Sequence, residues 1–569
     1  MEFSYQKNDN SLLFSSLEEK NLLNVSKTQN YIPLYSKFFN LNSSNSNNIN
    51  LNNKFSLKNI KSGENNKFNG QIVTTNKDVK DTKIFFKLSP LLDPIKYIIG
   101  KYDLSNNNLL NLPSFSNNNC EPKVLDTNNT AYVDSFFTYL SSQLLNNHNF
   151  INGVDFYGSF LAIKNDFNIN ISDDIEYLQE SEFFNKNENN LFKFNNNFHS
   201  ELLNINTRSH KQKITVDNNS EILENKILEL SDISDLSELE KIFTNSNNNE
   251  IIDNITLEFE GKVNSIKSLS QCKTSSTCSS RSSNTEQDSD DEDNEDNEDS
   301  ENNSDCSEES SASEDEIFIT IPKFPVQVIA LECCDKTLDS LLDSEDSIDD
   351  KELGAIIVQI LMILITYQKA FALTHNDLHT NNIMYSKTEK KYLYYKFNNK
   401  HYKVPTYGKI FKIIDFGRAI YKFRGNLMCS DSFHQKGDAA TQYNMEPYFN
   451  DKKPRIEPNY SFDLCRLSCS LIDFITNADE DFNNLDSPII QIIVDWCKDD
   501  KGRNIMYKNN GEERYPEFKL YKMIARTVHN HIPQTVIENK YFEKHFVVGK
   551  KDINKKNIII NIDNIPNYQ

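Results

Sequence analysis

The apolar positions of this chain fall into short periodic runs separated by long polar stretches. The strongest run, residues 353–365, is broken only by Gln359 and is too short to span a bilayer, so it reads as a buried core helix. With its flanks it predicts a helix over 351–371, capped by Asp349 or Asp350. Residues 131–145 place Phe136, Phe137, Leu140 and Leu144 at helical spacing and predict a second helix. Lys83-Ile84-Phe85-Phe86-Lys87 reads as a strand, 154–163 as two further strands, and 326–331 as a buried strand. A short helix follows at 338–342, and helices are expected from Ser461, over 489–496 and over 518–528. Residues 387–409 read as an exposed hairpin turning at Asn398-Asn399, its edges guarded by lysines.

The polar stretches set the expected boundaries. Residues 1–50 are Asn- and Ser-rich, with apolar clusters such as Tyr31-Ile32-Pro33-Leu34, and read as a poorly ordered extension holding a docked segment. Residues 165–316 read as a low-complexity insertion: Asn-rich at first, then a small amphipathic helix through Ile227, Leu230, Ile233 and Leu236, then a Ser-rich and acidic tract. Residues 550–569 read as a tail.

Charge and cysteine usage narrow the class. The net charge is −22, but 288–316 alone holds 16 acidic and no basic residues, and taking these from the total leaves −6. The remainder lacks the basic signature of nucleic-acid binding, so nucleic acid is not an expected partner. The 10 cysteines include no C-x-x-C pair, which suits a reducing, intracellular compartment. Cys465 and Cys469 lie four apart, as core residues on one helix face do. Met1-Glu2-Phe3-Ser4 does not open a signal peptide, and no transmembrane segment is expected.

Two stretches carry candidate chemistry. His375-Asn376-Asp377-Leu378-His379-Thr380-Asn381-Asn382 follows the apolar helix, and Ile413-Ile414-Asp415-Phe416-Gly417 ends a strand. In this order they match the catalytic loop H-R-D-L-x-x-x-N and the metal-binding turn D-F-G. The chain therefore resembles the protein kinase superfamily, and within it the divergent serine/threonine kinases of giant DNA viruses. The resemblance implies an α+β, two-lobed fold with a small β-rich N-lobe and a larger helical C-lobe. The N-lobe would begin at 51–164, carry a long disordered insertion at 165–316, and end in the strand and hinge at 317–332. The C-lobe would span 333–549. The location implied is the host cytoplasm or the virion.

The activity implied is ATP- and Mg²⁺-dependent transfer of the γ-phosphate to Ser/Thr hydroxyls of a protein substrate. Such transfer asks mainly for positioning and charge neutralisation. By resemblance, Asp377 would hold the attacking hydroxyl and accept its proton, while Asn382 and Asp415 would hold Mg²⁺. Lys87 would bind the α- and β-phosphates and pair with Asp134 on the following helix. Gly63 and Gly70 would flank the phosphate-covering hairpin, although G-x-G-x-x-G is absent. Backbone groups at Glu332 and Cys334 would meet adenine.

The chain departs from the pattern at several points. His379 stands where a Lys usually touches the γ-phosphate, Asp134 replaces the usual Glu, and Asn376 replaces the usual Arg. Asp377 and Asp415 lie 38 positions apart, more than is usual. Met445-Glu446-Pro447 is the nearest substitute for A-P-E. Two alternatives stay open: a small-molecule phosphotransferase resembling aminoglycoside or choline kinases, whose loops often carry His at the position of His379, and a pseudokinase scaffold. Asp-Phe-Gly and the stretch 461–467 favour a protein kinase, with Asp463 steadying the catalytic loop. Asp377, read as a substrate contact, is expected to be replaceable by Ala with little loss of stability.

Asn376 generates a prediction. The Arg it replaces is neutralised by a phosphate on the segment after Asp415, and Asn376 has no charge to neutralise. Protein freed of phosphate on Ser430, Ser432 and Thr441 is expected to phosphorylate substrate from the first time point. The check is an initial rate after phosphatase treatment and removal; a rate starting near zero and rising with autophosphorylation would refute it.

Overall fold

The structure, a computed structural model, describes residues 4–7, 10–51, 53–116, 119–195, 316–344, 348–476, 485–508 and 511–569. The amphipathic helix expected at 221–243 and the acidic tract up to 315 lie outside the described residues.

The fold is mixed α and β. An antiparallel seven-stranded sheet is built from β1 (Val25–Gln29), β2 (Phe55–Glu64), β3 (Lys67–Thr74), β4 (Val79–Pro90), β5 (Phe156–Asn170), β6 (Lys193–Phe194) and β7 (Phe318–Glu332). The strand order is β1-β5-β7-β4-β3-β2, with β6 pairing β7. Asn65 and Asn66, both at positive φ, close the β2–β3 hairpin in the left-handed pair of conformations that matches strand twist. Gly63 and Gly70 are required by close approach. A Cβ at Gly63 would lie 2.3 Å from the Lys67 carbonyl oxygen, and one at Gly70 would lie 2.7 Å from that of Asn59.

Three expectations change here. Residues 154–163 do not form two strands: β5 is a single strand that pairs with β7 along almost its whole length. It also runs past 164, so the low-complexity boundary placed at 165 is wrong. Phe167, Ile169 and Ile171 alternate into the core, and Phe167 stacks on Phe324 at 5.2 Å, while Asp166, Asn168 and Asn170 are exposed or partly exposed between them. Residues 11–51 are not a poorly ordered extension either. They form α1 (Ser11–Lys20) and edge strand β1, and they bury Leu17, Leu23, Val25, Ile32, Leu34 and Tyr35. Their asparagines brace loops: Asn47 Oδ1 accepts from the amides of Asn30 and Tyr31, and Asn30 Nδ2 donates to the Asn47 carbonyl.

Against the sheet lies α2 (Thr130–His148), capped by Asn129, whose side chain accepts from the Ala131 amide. Beyond β7 come β8 (Lys336–Thr337), α3 (Leu338–Leu342) and α4 (Asp350–Phe371). The Asp349 side chain caps α4 by accepting from the Glu352 amide at 2.7 Å. By length and composition α4 could cross a membrane, but 94% of its apolar window is buried inside the protein, as in a core helix. Three further helices, α5 (Phe462–Ile475), α6 (Pro488–Asp495) and α7 (Phe518–Thr527), follow later in the chain.

Strands β9 (Ile383–Lys387) and β12 (Lys409–Ile413) pair antiparallel, with Ile383 opposite Ile413. Between them in sequence stand β10 (Tyr392–Phe397) and β11 (Lys400–Pro405), joined at Asn398-Asn399. This hairpin is not exposed as expected. Tyr395 and Tyr402 are fully buried, and its edges are covered by β15 (Val547–Val548) and β16 (Ile559–Asn561). Residues 550–569 are therefore not a loose tail: β16 joins a sheet, and Tyr568 stacks on Phe371 while its amide donates to the Ala370 carbonyl at 2.8 Å. The segment after Asp415 opens with the hairpin β13 (Ile420–Phe423) and β14 (Asn426–Cys429).

Removing residues 559–569 is expected to destabilise the protein by several kcal/mol. Ile560, Ile562 and Ile565 are nearly fully buried, and each contributes about 1.5–3 kcal/mol of burial. Urea denaturation of the truncated protein checks this; an unchanged midpoint would restore the reading of a tail.

Candidate active site

The loop at Asp377 is fixed from below by one carboxylate. Asp463, at the start of α5 and fully buried, accepts the His375 amide at 2.9 Å and the Asn376 amide at 2.8 Å. This holds Asn376 at a φ of 65°, a conformation that non-Gly residues keep only where the surroundings impose it. The His375 ring nitrogen Nε2 meets the Ile414 carbonyl at 2.9 Å, and the Ile414 amide donates to the Asn382 carbonyl at 3.0 Å. Asn382 Nδ2 donates to the Asp377 carbonyl at 2.8 Å, which leaves its Oδ1 as acceptor. Asp377, Asn382 and Asp415 are thus brought together by backbone bonds between two pieces of chain.

Lys87 joins them from the sheet. Its Nζ lies 2.7 Å from Asp134 Oδ2 and 2.9 Å from Asp415 Oδ1. Asp134 Oδ1 also accepts the Phe416 amide at 2.8 Å, so one short side chain holds both the lysine and the Asp-Phe-Gly turn. The helix sits close enough for this: Phe137 and Phe416 have ring centroids 4.4 Å apart, and Tyr421 Oη donates to the Val133 carbonyl at 2.9 Å. Burial pushes the Asp134 carboxyl up, against the pull of Lys87. On Asp415 burial pushes the same way, but Lys87 outweighs it and holds the carboxyl below its ordinary value.

The other candidates divide. The β2–β3 hairpin with Gly63 and Gly70 reaches the same strand: the Phe86 amide, next to Lys87, donates to the Asn66 carbonyl at 2.8 Å. Glu332 is occupied by its side chain, which pairs with buried Lys412 and accepts the Asp155 amide at 2.8 Å. Cys334 is buried, and burial pushes its thiol up to about 12. His379 is buried, with Nε2 3.1 Å from Asn382 Nδ2. Its Nδ1 has no partner among the described residues, and burial lowers its pKa to about 4, so it is neutral at pH 7.

The segment after Asp415 is tied down by contacts that no sequence motif announced. Asp431 accepts the Thr130 amide at 3.0 Å and the Thr130 hydroxyl at 2.9 Å, and it pairs with Lys123, all at the N-terminal end of α2. Tyr443 Oη donates to Asn376 Oδ1 at 2.7 Å. Ser430 and Ser432 are buried and hydrogen-bonded to Thr130, which removes them as ready phosphorylation sites. Glu446 pairs with Arg455 on the surface, both exposed, so Met445-Glu446-Pro447 does not form a buried anchor.

Asp377 is enclosed by cations. Its Oδ1 accepts from Tyr521 Oη at 2.8 Å and lies 3.7 Å from Arg418 Nη1, while Arg418 Nη2 pairs with Asp438 at 2.7 Å. Burial pushes the carboxyl up, but Arg418, His379, Arg466 and the Tyr521 hydroxyl together bring it down to about 2. No group of three or more His, Cys, Asp or Glu side chains among the described residues is arranged to hold a metal unaided.

No family model matches the chain. A stretch of 103 residues is 32% identical to the serine/threonine-protein kinase haspin of Bos taurus. That stretch is 18% of this chain and spans only 12% of the relative, so the similarity to a serine/threonine-protein kinase is partial.

Asp377 is largely enclosed and its carboxylate is held by Tyr521 and Arg418, so its loss is expected to reach stability as well as chemistry. Its folded-state pKa lies below the value of about 3.9 in an unfolded chain, so its stabilisation is complete above pH ~4 and is lost as pH falls towards 2. Asp377→Asn is expected to cost about 2 kcal/mol at pH 7 and to flatten the loss of stability between pH 4 and 2. Urea denaturation at pH 7, 4 and 3 checks it; equal stability of both proteins at pH 7 would count against the assignment.

Proposed function

We propose that the chain is a two-lobed protein kinase that uses Mg²⁺ and ATP to phosphorylate Ser/Thr hydroxyls of a protein substrate. The observation that carries this reading is the single lysine, Lys87, bridging Asp134 and Asp415 above a loop bearing Asp377 and Asn382. The partial similarity to a serine/threonine-protein kinase supports it. In this reading the seven-stranded sheet with α2 is the N-lobe, α4 to α7 form the C-lobe, and 332–334 is the hinge.

The residues fit the nucleotide and its ion. Asn382 Oδ1 and the Asp415 carboxylate are oxygen donors, and Mg²⁺ commonly takes one or two carboxylates and fills the rest of its shell with phosphate and water oxygens. When bound, the ion neutralises charge on the phosphates. Lys87 stays charged, because Asp134 and Asp415 outweigh the burial that would lower its pKa. Its pair with Asp134 keeps it aimed while its other donors meet the phosphates. His379 offers a buried, unpartnered ring nitrogen as a neutral donor in place of a lysine cation. Asp377, ionised at any working pH, holds the acceptor hydroxyl and takes its proton.

The test offers purified protein labelled ATP and Mg²⁺ with casein, myelin basic protein and choline. Label is expected on protein, and Asp377→Asn is expected to lower the rate by about 10²–10⁴-fold. Label on choline alone selects a small-molecule phosphotransferase. No label on any acceptor, with Asp415→Asn indistinguishable from wild type, selects the scaffold.

A further inference from the structure

A carboxylate that takes a proton from a bound hydroxyl must present one oxygen to it, and a misplacement of about 1 Å can cost 10²-fold in rate. On Asp377 one oxygen is already committed. Oδ1 accepts from Tyr521 Oη at 2.8 Å, with Arg418 Nη1 3.7 Å from the same atom. No hydrogen bond from the described residues reaches Oδ2.

Tyr521 reaches Asp377 from α7, 144 positions further along the chain. Its oxygen accepts from Arg466 Nε at 2.9 Å, which leaves its own proton to point at Asp377. Arg466 is buried on α5, the helix that also carries Asp463. One helix thus sets the backbone of the loop directly and the rotation of the Asp377 carboxylate through Tyr521. The ring is clamped as well. It stacks on Phe518 at 5.4 Å, and the guanidinium carbons of Arg466 and Arg418 lie 5.1 Å and 5.6 Å from its centroid. A side chain stacked on an aromatic ring and flanked by two guanidinium groups has little freedom to release its hydrogen bond.

We propose that Tyr521 is a positioning residue for phosphoryl transfer, an inference that rests on the kinase reading: its hydroxyl fixes Oδ1 of Asp377 and so reserves Oδ2 for the acceptor hydroxyl. The same geometry has an opposite reading, in which the Tyr521 hydroxyl occupies the acceptor's place and blocks the site. The two readings predict opposite signs when the hydroxyl is removed.

Tyr521→Phe removes the hydroxyl and keeps the ring. Wild type and variant are compared with Mg²⁺-ATP and the protein substrate that wild type labels, alongside binding of a fluorescent ATP analogue. Positioning predicts a fall in kcat of about 10-fold to 100-fold, the worth of a hydrogen bond to a charged group, with KM for ATP and analogue binding within twofold. A merely structural role would weaken nucleotide binding and lower the melting temperature in step with kcat. Tyr521→Phe leaves Arg466 Nε without its acceptor, so a second variant guards against unfolding. Arg466→Lys keeps the charge, removes the Nε donor, and is expected to lower kcat by about threefold to tenfold at unchanged KM for ATP. An increase in kcat for Tyr521→Phe overturns the proposal in favour of a block, and unchanged kcat in both variants overturns it outright. Wild-type protein that labels no acceptor fails the kinase reading itself, and the role of Tyr521 falls with it.

Discussion

The contact on which the rest depends is the Lys87 ammonium held between two carboxylates. Asp134 is buried while Lys87 and Asp415 stay partly exposed, and two carboxylates around one cation leave an excess of negative charge where water reaches from one side only. The arrangement survives because other groups share the load: the Phe416 amide donates to Asp134, and aromatic packing keeps α2 pressed to the turn. Parts of the chain that look accessory by composition serve this contact. Phe38, from the Asn-rich N-terminal stretch, stacks on Phe136 of α2 at 4.9 Å. Asp431, from the segment after Asp415, pins the first turn of the same helix.

The spacing of the two motifs in sequence is unrelated to their spacing in the fold. Ile383 and Ile413 face each other across β9 and β12, so Asn382 and Asp415 stay adjacent whatever is inserted between the two strands. The inserted β10–β11 hairpin forms its own sheet, where β15 and β16 cover its edges, and packs into the main core through Tyr395 and Tyr402. The long separation of Asp377 and Asp415 is thus a property of the inserted hairpin. The ladder holds the metal-ligand candidates together without reference to it.

Much of the candidate site was legible because its signals are local. Asp377, Asn382 and Asp415 follow strong apolar segments, and Lys87 ends one; Asp134 could be named because it lies on the next amphipathic helix. What was missed was masked or distant. Asparagine hid the far half of β5 and the loops around Asn30 and Asn47, since an Asn on the solvent face of a strand resembles one in a disordered stretch, and β1 is a short polar edge strand set between Asn24 and Asn30. The residues at 559–569 alternate too briefly to announce a strand that exists only by pairing with β10. Lys412, Asp431, Tyr443 and Tyr521 carry no motif, and each matters through a partner dozens to hundreds of positions away.

The electrostatics of Asp377 follow from where the cations sit. The pattern that the loop resembles supplies two of them locally, an Arg before the Asp and a Lys two residues after. This chain has Asn376 and a neutral His379 instead, so the loop itself brings no fixed positive charge. The carboxylate is nonetheless held near 2: Arg418, from the segment after Asp415, lowers it most, His379 adds to this once protonated at low pH, and Arg466 of α5 and the Tyr521 hydroxyl contribute the rest. Moving the cations off the loop changes what controls the site. A loop cation answers to the loop alone, whereas Arg418 is placed by its pairing with Asp438 and its approach to the Tyr521 ring. The ionisation of Asp377 is thereby coupled to the packing of the segment after Asp415 against α5 and α7. That packing is secured by a Tyr443–Asn376 hydrogen bond between neutral groups. A neutral bond of this kind presents no charge for a phosphate to neutralise.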